Sequence, residues 1–353
     1  MTRFSMRLST RLSTMGMAMM ACAMAMTPVA AQTADSAYAG KTVNLLIGTV
    51  SGGGYDLYAR ALARQFGKYI PGQPSVVTKN MPGAGSLVLA NHLYSVAPRD
   101  GLTFGALQRQ VPLDPLLQGE TRADKFDAGK FTWIGSISSE TGFGIVATST
   151  GIDSFAELRT KELFVSALSG ASDTEIIPRA INAVLGTKLK IVTGYNGSPE
   201  ALLALERGEV GGYFPGGWAG VRNTVEPWLK EGRVKILVQI SVRKSPEFPD
   251  LPLILDFATT DRERRVLELA FVSQIWGRPY TAPPDIPADR VAVLRAAFDK
   301  TLLDPAFVTE TEKLNFTIDP LSGQDMSRMI AEIYASPPDI IEATRAALAG
   351  ERR

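Results

Sequence analysis

Two glycine-rich turns, Ser51-Gly52-Gly53-Gly54-Tyr55-Asp56 and Asn80-Met81-Pro82-Gly83-Ala84-Gly85-Ser86, constrain this chain most. Each follows a short apolar run, Val43–Gly48 or Ser75–Thr78. Each then opens a segment of helical period, with Leu57, Ala61, Leu62 and Phe66 in one and Leu87, Leu89, Ala90 and Leu93 in the other. Strand, tight turn and helix, given twice in succession, predict an α/β fold. The start of a helix leaves backbone N–H groups unpaired and carries a partial positive charge, so it attracts anions without a basic side chain. Glycine lets a ligand approach the backbone because no Cβ intervenes. The two turns therefore read as a socket for a carboxylate or phosphate, built from Gly52, Gly53, Gly54, Gly83, Ala84, Gly85 and Ser86. Two ordinary strand-to-helix turns would leave the same trace.

The first residues have the pattern of a secretory leader. Arg3, Arg7 and Arg11 precede an apolar stretch, Met15 to Met26, and Val29-Ala30-Ala31 offers small residues for cleavage before Gln32. The apolar stretch is too short for a membrane span. The lone cysteine, Cys22, lies in this leader, so the mature chain is expected to have no disulfide or thiol chemistry. Without residues 1–31 the balance is 34 basic against 36 acidic residues, a net charge of −2. Such a chain offers no electrostatic footprint for nucleic acid or an anionic membrane. Export to the periplasm is expected.

From Lys41 to Ala147 strand and helix alternate, with further strands at Leu102–Leu107 and Phe131–Gly135; a parallel sheet is expected. A second α/β series begins near Gly151, with a capping-box pattern at Ser154–Glu157. Its strands are read at Phe164–Ala167, Lys190–Thr193 and Lys235–Ile240, and its helices at 173–185, 198–207 and 218–230, the last interrupted by Pro227. Prolines then mark a return crossing, and four helices follow near 288–303, 305–314, 323–335 and 338–349. The expected organisation is a leader (1–31), a first lobe (32–147), a second lobe (148–245) and a return to the first lobe with a helical C-terminus (246–353).

Catalysis finds few parts. No G-x-S-x-G elbow is present, and His92 is the only histidine. A zinc site lacks ligands, and neither glycine turn completes a dinucleotide fingerprint. The chain is expected to be a binding protein without cofactor or metal, although an exported enzyme stays open until turnover is tested. Small polar loops remain as candidates to face a cleft. Ser169, Ser172 and Asp173 start one helix, and Tyr195-Asn196-Gly197-Ser198 starts the next. Asp56, Asp173 and Ser198 have the alternative role of capping their helices. Arg109, after a first-lobe strand, is suited to pairing a second anionic group or to standing solvated in a loop.

With these pieces in order, the sequence resembles the substrate-binding proteins of tripartite tricarboxylate transporters, the Bug receptor family. The resemblance runs from Lys41 to Leu348. It rests on Gly52–Asp56, Asn80–Gly85, Ala97-Pro98-Arg99-Asp100-Gly101-Leu102-Thr103, Tyr195–Ser198 and Arg243–Pro252. It implies a two-lobed periplasmic binding protein of type II-like fold, closing over a small organic carboxylate. That ligand would be a di- or tricarboxylate, or an aromatic or amino acid. It also implies that the glycine turns hold the carboxylate, with the loops of Ser172 and Asn196 contributing from the other lobe. The partners implied are two membrane permease subunits driven by an ion gradient, and a monomer is expected; a sensory partner is the alternative. Some residues depart from the family pattern. Tyr55 follows the first glycines and is available to stack on or hydrogen-bond a ligand. Ser169 and Ala171 stand where glycines are common, and Gln108 and Arg109 occupy a stretch that is usually smaller and less charged.

Overall fold

The computed structural model describes residues 37–117, 126–168 and 172–351. The leader with Cys22, and Ser169 in the second lobe, lie outside the described residues.

The chain builds two sheets, each with apolar clusters on both faces of its central strands. The first uses β1 (Thr42–Ile47), β2 (Ser75–Asn80), β3 (Thr103–Ala106), β4 (Thr132–Ser136), β10 (Pro279–Ala282) and β11 (Leu321–Ser322), in the order β11-β4-β10-β3-β1-β2. The second uses β5 (Gly142–Ala147), β6 (Leu163–Ser166), β7 (Leu189–Val192), β8 (Gly212–Tyr213) and β9 (Val234–Ile240), in the order β7-β6-β8-β5-β9.

The helices are α1 (Gly54–Phe66), α2 (Leu87–Ser95), α3 (Asp173–Leu185), α4 (Ser198–Glu206), α5 (Arg222–Lys230) and α6 (Asp261–Phe271). They continue with α7 (Ala288–Leu302), α8 (Pro305–Lys313), α9 (Gly323–Tyr334) and α10 (Pro338–Ala349). In α1 the expected Ala61, Leu62 and Phe66 are buried against one face of the first sheet together with Tyr58 and Ala59, whereas Leu57 is exposed; Leu45, Phe104 and Phe298 join the buried set. Leu46, Leu89, Leu93, Trp133 and Trp276 cover the other face. Coverage of both faces explains why β1 is apolar at consecutive positions rather than alternating.

Three expectations change. The first sheet is mixed, because β10 runs antiparallel between β3 and β4. The proline there hid this strand, but Pro279 sits at its first residue, where no ladder N–H is lost. The boundary expected at 147 lies earlier, since β5 pairs with β8 and β9 in the second sheet. Finally, the segment 246–353 does not all return to the first lobe. Leu253, Ile254, Leu267 and Phe271 pack in the second lobe's core, and Ile340, Ala343 and Ala347 of α10 pack on Val266 and Leu269 of α6. Three crossings therefore join the lobes, 137–141 outward, 272–278 back and 335–337 outward again to α10.

Candidate functional site: a charged cleft between the lobes

The strands β1, β3 and β4 all end at the edge where β10 begins. Residues following those three strands and preceding β10 therefore meet beside the second lobe, the side of an open α/β sheet where ligands bind.

Arg278, one residue before β10, is central at this edge. Its guanidinium lies 4.4 Å from the Tyr55 ring centroid and 5.1 Å from that of Tyr58. Nη2 pairs with Glu140 at 2.9 Å, and Nη1 donates to the Gly277 carbonyl at 2.9 Å. Nε is buried and has no hydrogen-bond partner among the described residues. A methyl group on Gly54 would stand 3.6 Å from Nη2, so the cation lies against the start of α1. Burial works against its charge, but Glu140 and the Tyr55 and Tyr58 hydroxyls outweigh burial and raise its pKa. A guanidinium beside a helix N-terminus concentrates positive potential at one point.

Arg109 follows β3. Its backbone N–H donates to the Tyr55 hydroxyl at 3.1 Å, and its carbonyl accepts from Trp276 Nε1 at 2.9 Å. This double clamp aims its buried side chain across the cleft, where it pairs with Asp173 in the first turn of α3. Burial again opposes the charge, and Asp173, Tyr55 and Glu140 outweigh it.

The second lobe supplies the facing wall. Ser172 precedes α3, and its hydroxyl meets that of Thr174 at 2.9 Å. Tyr213 donates to Ser198 Oγ at 2.9 Å. Gly216 and Gly217 press their backbone against the Asp173 and Glu140 carboxylates, leaving no room for a Cβ. A cavity of about 340 Å³ results, lined by Arg109, Glu140, Asp173, Ser198, Tyr213 and Arg278 among others. Gly85, Gln108 and Asp173 border a second cavity of about 480 Å³.

Several candidates have other work. Asp56 is buried and accepts from Arg60 Nε (2.9 Å), the Gly52 N–H (2.9 Å) and Asn80 Nδ2 (2.8 Å). Burial alone would raise its pKa, but these partners hold it down at about 2. It braces the first turn, because its oxygens serve four donors, Ser51 Oγ (3.4 Å) being the fourth. Ser86 is fully buried; it donates to the Gly48 carbonyl at 2.9 Å and accepts from the Gln108 N–H at 3.3 Å. Asn196 is exposed, and both its backbone N–H and its amide donate to Glu200 at 2.7 and 3.0 Å. Its neighbour Ser198 lines the cavity instead, across the turn from Gly197. Gly52, Gly53, Gly54, Ala84 and Gly85 lie exposed at the first-lobe rim and Gly83 packs against Val88, but only Gly85 borders either cavity. Tyr55 acts as a support, buttressing Arg109 and Arg278.

Sequence reasoning missed Arg278 and Glu140, although a signal was present. Glu140 is the only charged residue between Lys130 and Asp153, and Arg278 the only one between Glu268 and Asp285. A lone charge in a long uncharged stretch, flanked by strand-forming residues, has to find a partner from another segment.

A family model described as the tripartite tricarboxylate transporter family receptor matches residues 58–345. The chain belongs to this receptor family. A UPF0065 protein of Bordetella bronchiseptica is 25% identical over 301 residues, 83% of this chain and 82% of that one. Among solved structures, a TctC solute-binding protein from Polaromonas, without ligand, gives a TM-score of 0.68 at 18% identity, covering 87% of the receptor and 98% of that chain. MatC of Rhodopseudomonas palustris, with bound malate, gives 0.55 at 19% identity, covering 86% and 99%. The fold of the receptor is thus the two-lobed α/β fold of these periplasmic binding proteins. Among the described residues no helix is long and apolar enough to cross a membrane.

Proposed function

We propose that the chain is a periplasmic solute-binding receptor, exported by residues 1–31. It captures a small organic carboxylate between its lobes and delivers it to an ion-gradient-driven permease of two membrane subunits. The observation that carries this reading is Arg278: a largely buried guanidinium against the start of α1, lining a cavity, whose Nε has no partner among the described residues. The malate bound to MatC, a protein of similar fold, supports it. A carboxylate at Arg278 takes charge-assisted hydrogen bonds of about 1.5–3 kcal/mol each. The start of α3, with the hydroxyls of Ser172 and Thr174, approaches from the second lobe. The ligand thereby favours the closed arrangement of the lobes. The reading is binding without turnover.

The test is a thermal-shift screen of the mature chain, from Gln32, against mono-, di- and tricarboxylates, amino acids, aromatic acids, sugars and phosphates. A ligand at about 100 times its Kd adds about 2.7 kcal/mol, enough to raise Tm by several degrees. A shift with a carboxylate is expected. Silence from all carboxylates, with a shift from a sugar, would contradict it.

A further inference from the structure

The cleft is electrically balanced, and the balance discriminates between carboxylates. Its cavity holds two guanidiniums and two carboxylates in contact, Arg278 with Glu140 and Arg109 with Asp173. The Arg278 and Glu140 side chains are only 16% and 8% exposed. A dicarboxylate that captures both arginines strands two acids in a buried space, where an unpaired charge is strongly disfavoured. A monocarboxylate that takes Arg278 strands Glu140 in the same way. A ligand carrying an ammonium beside its carboxylate exchanges partners and strands nothing.

The two pairs are not equivalent. Asp173 lies in the first turn of α3, where the helix end stabilises its carboxylate and repels an incoming cation. Arg109 is clamped through its backbone on both sides. Glu140 lies in the first outward crossing and in no helix of its own, and Arg278 Nη2 stands between it and the start of α1. Gly217 and Gly277 close around it, so its carboxylate stays beside Arg278, whose buried Nε has no partner among the described residues. Opposite charges 2.9 Å apart match a ligand whose carboxylate and ammonium are carried by one carbon.

Resting on the carboxylate reading above, we propose that the solute is an α-amino acid, with its carboxylate on Arg278 and its ammonium on Glu140. Glu140 then sets specificity: it admits zwitterions and rejects the corresponding simple acids. The amino-acid side chain points toward Ser198, Tyr213 and Leu168 of the second lobe.

The experiment measures calorimetric affinities of the mature wild-type chain for matched sets: an α-amino acid, the acid lacking its amine, and the amine lacking its carboxylate. Glutamate, glutarate and γ-aminobutyrate form one set, and phenylalanine, 3-phenylpropionate and phenethylamine another; the remaining amino acids follow the same scheme. In at least one set the amino acid is expected to bind at least about ten-fold tighter than either analogue. Glu140→Gln is expected to abolish that preference and to leave the affinity for the simple acid unchanged or stronger. Simple acids or dicarboxylates binding as tightly as every amino acid would overturn the zwitterion and leave the carboxylate reading standing. Binding of neither class would overturn both. An unchanged preference in folded Glu140→Gln would remove Glu140 from the site, and the wild-type sets decide the ligand class even if that variant fails to fold.

Discussion

The two glycine turns look alike in sequence, and the structure uses them differently. The first keeps Gly53 extended (φ −79°, ψ 167°) and opens directly into the 13 residues of α1, with open space over Gly52 and no contact closer than 3.9 Å over Gly53. Its backbone faces outward beside Arg278. The second passes through four successive residues of positive φ, Gly83 (142°), Ala84 (45°), Gly85 (65°) and Ser86 (76°), before α2 begins. Two of these are not glycine, and such backbone persists only where the surroundings hold it. Ser86 does the holding, tying the ends of β1 and β3 through Gly48 and Gln108. Glycine-rich composition thus announces unusual backbone. It does not say whether the freed N–H groups face a ligand or the protein.

Substitutions can break this contrast. The largest effect is expected from Arg278→Gln, which leaves the buried Glu140 without its cation and should cost about 3–4 kcal/mol in denaturant unfolding. Adding Glu140→Gln should restore most of that loss. Next comes Asp56, the brace of the first turn. Its folded pKa of about 2 lies below its ordinary 3.8. Its contribution is therefore complete above about pH 4 and is lost as pH falls toward 2. Asp56→Asn should cost about 2 kcal/mol at pH 7, and its stability should fall less between pH 4 and pH 2 than that of the wild type. Ser86→Ala should cost about 1–2 kcal/mol by leaving the Gly48 carbonyl and the Gln108 N–H short of a partner, with ligand affinity unchanged. Gly85→Ala should cost about 1 kcal/mol, because an L-residue is strained at φ 65°. Gly53→Ala should change stability least, by under about 0.5 kcal/mol, yet weaken ligand binding by obstructing the approach to the start of α1. If Gly53→Ala unfolded the protein and Gly85→Ala only weakened binding, the roles of the two turns would be reversed.

Much of the fold was legible because its strands and helices are strongly patterned. The four C-terminal helices fall within one or two residues of their expected ends, and the capping box at Ser154 and Glu157 is present. Elements without local signal escaped. The strand β8 is two residues long, β10 carries a proline, and β5 is half glycine and alanine, so each is defined by its neighbours in the sheet. At the site, Arg109 and Asp173 were legible as charged residues in cleft loops, but their pairing joins elements 64 residues apart and has no local trace. Arg278 and Glu140 are 138 positions apart, and they meet because each lies on a crossing between the lobes. Tyr55 and Ser86 were seen, but their roles as supports depend on what packs over them.

The central claim is that a carboxylate is bound at Arg278 against the start of α1. Its most direct test is a calorimetric titration of the acid that raises Tm furthest, comparing the wild type with Arg278→Gln/Glu140→Gln, whose Tm is first checked against the wild type. Loss of affinity by at least about fifty-fold in a folded double variant is expected, as two charge-assisted hydrogen bonds disappear. Wild-type affinity in that variant would contradict the claim and move the anion site away from Arg278.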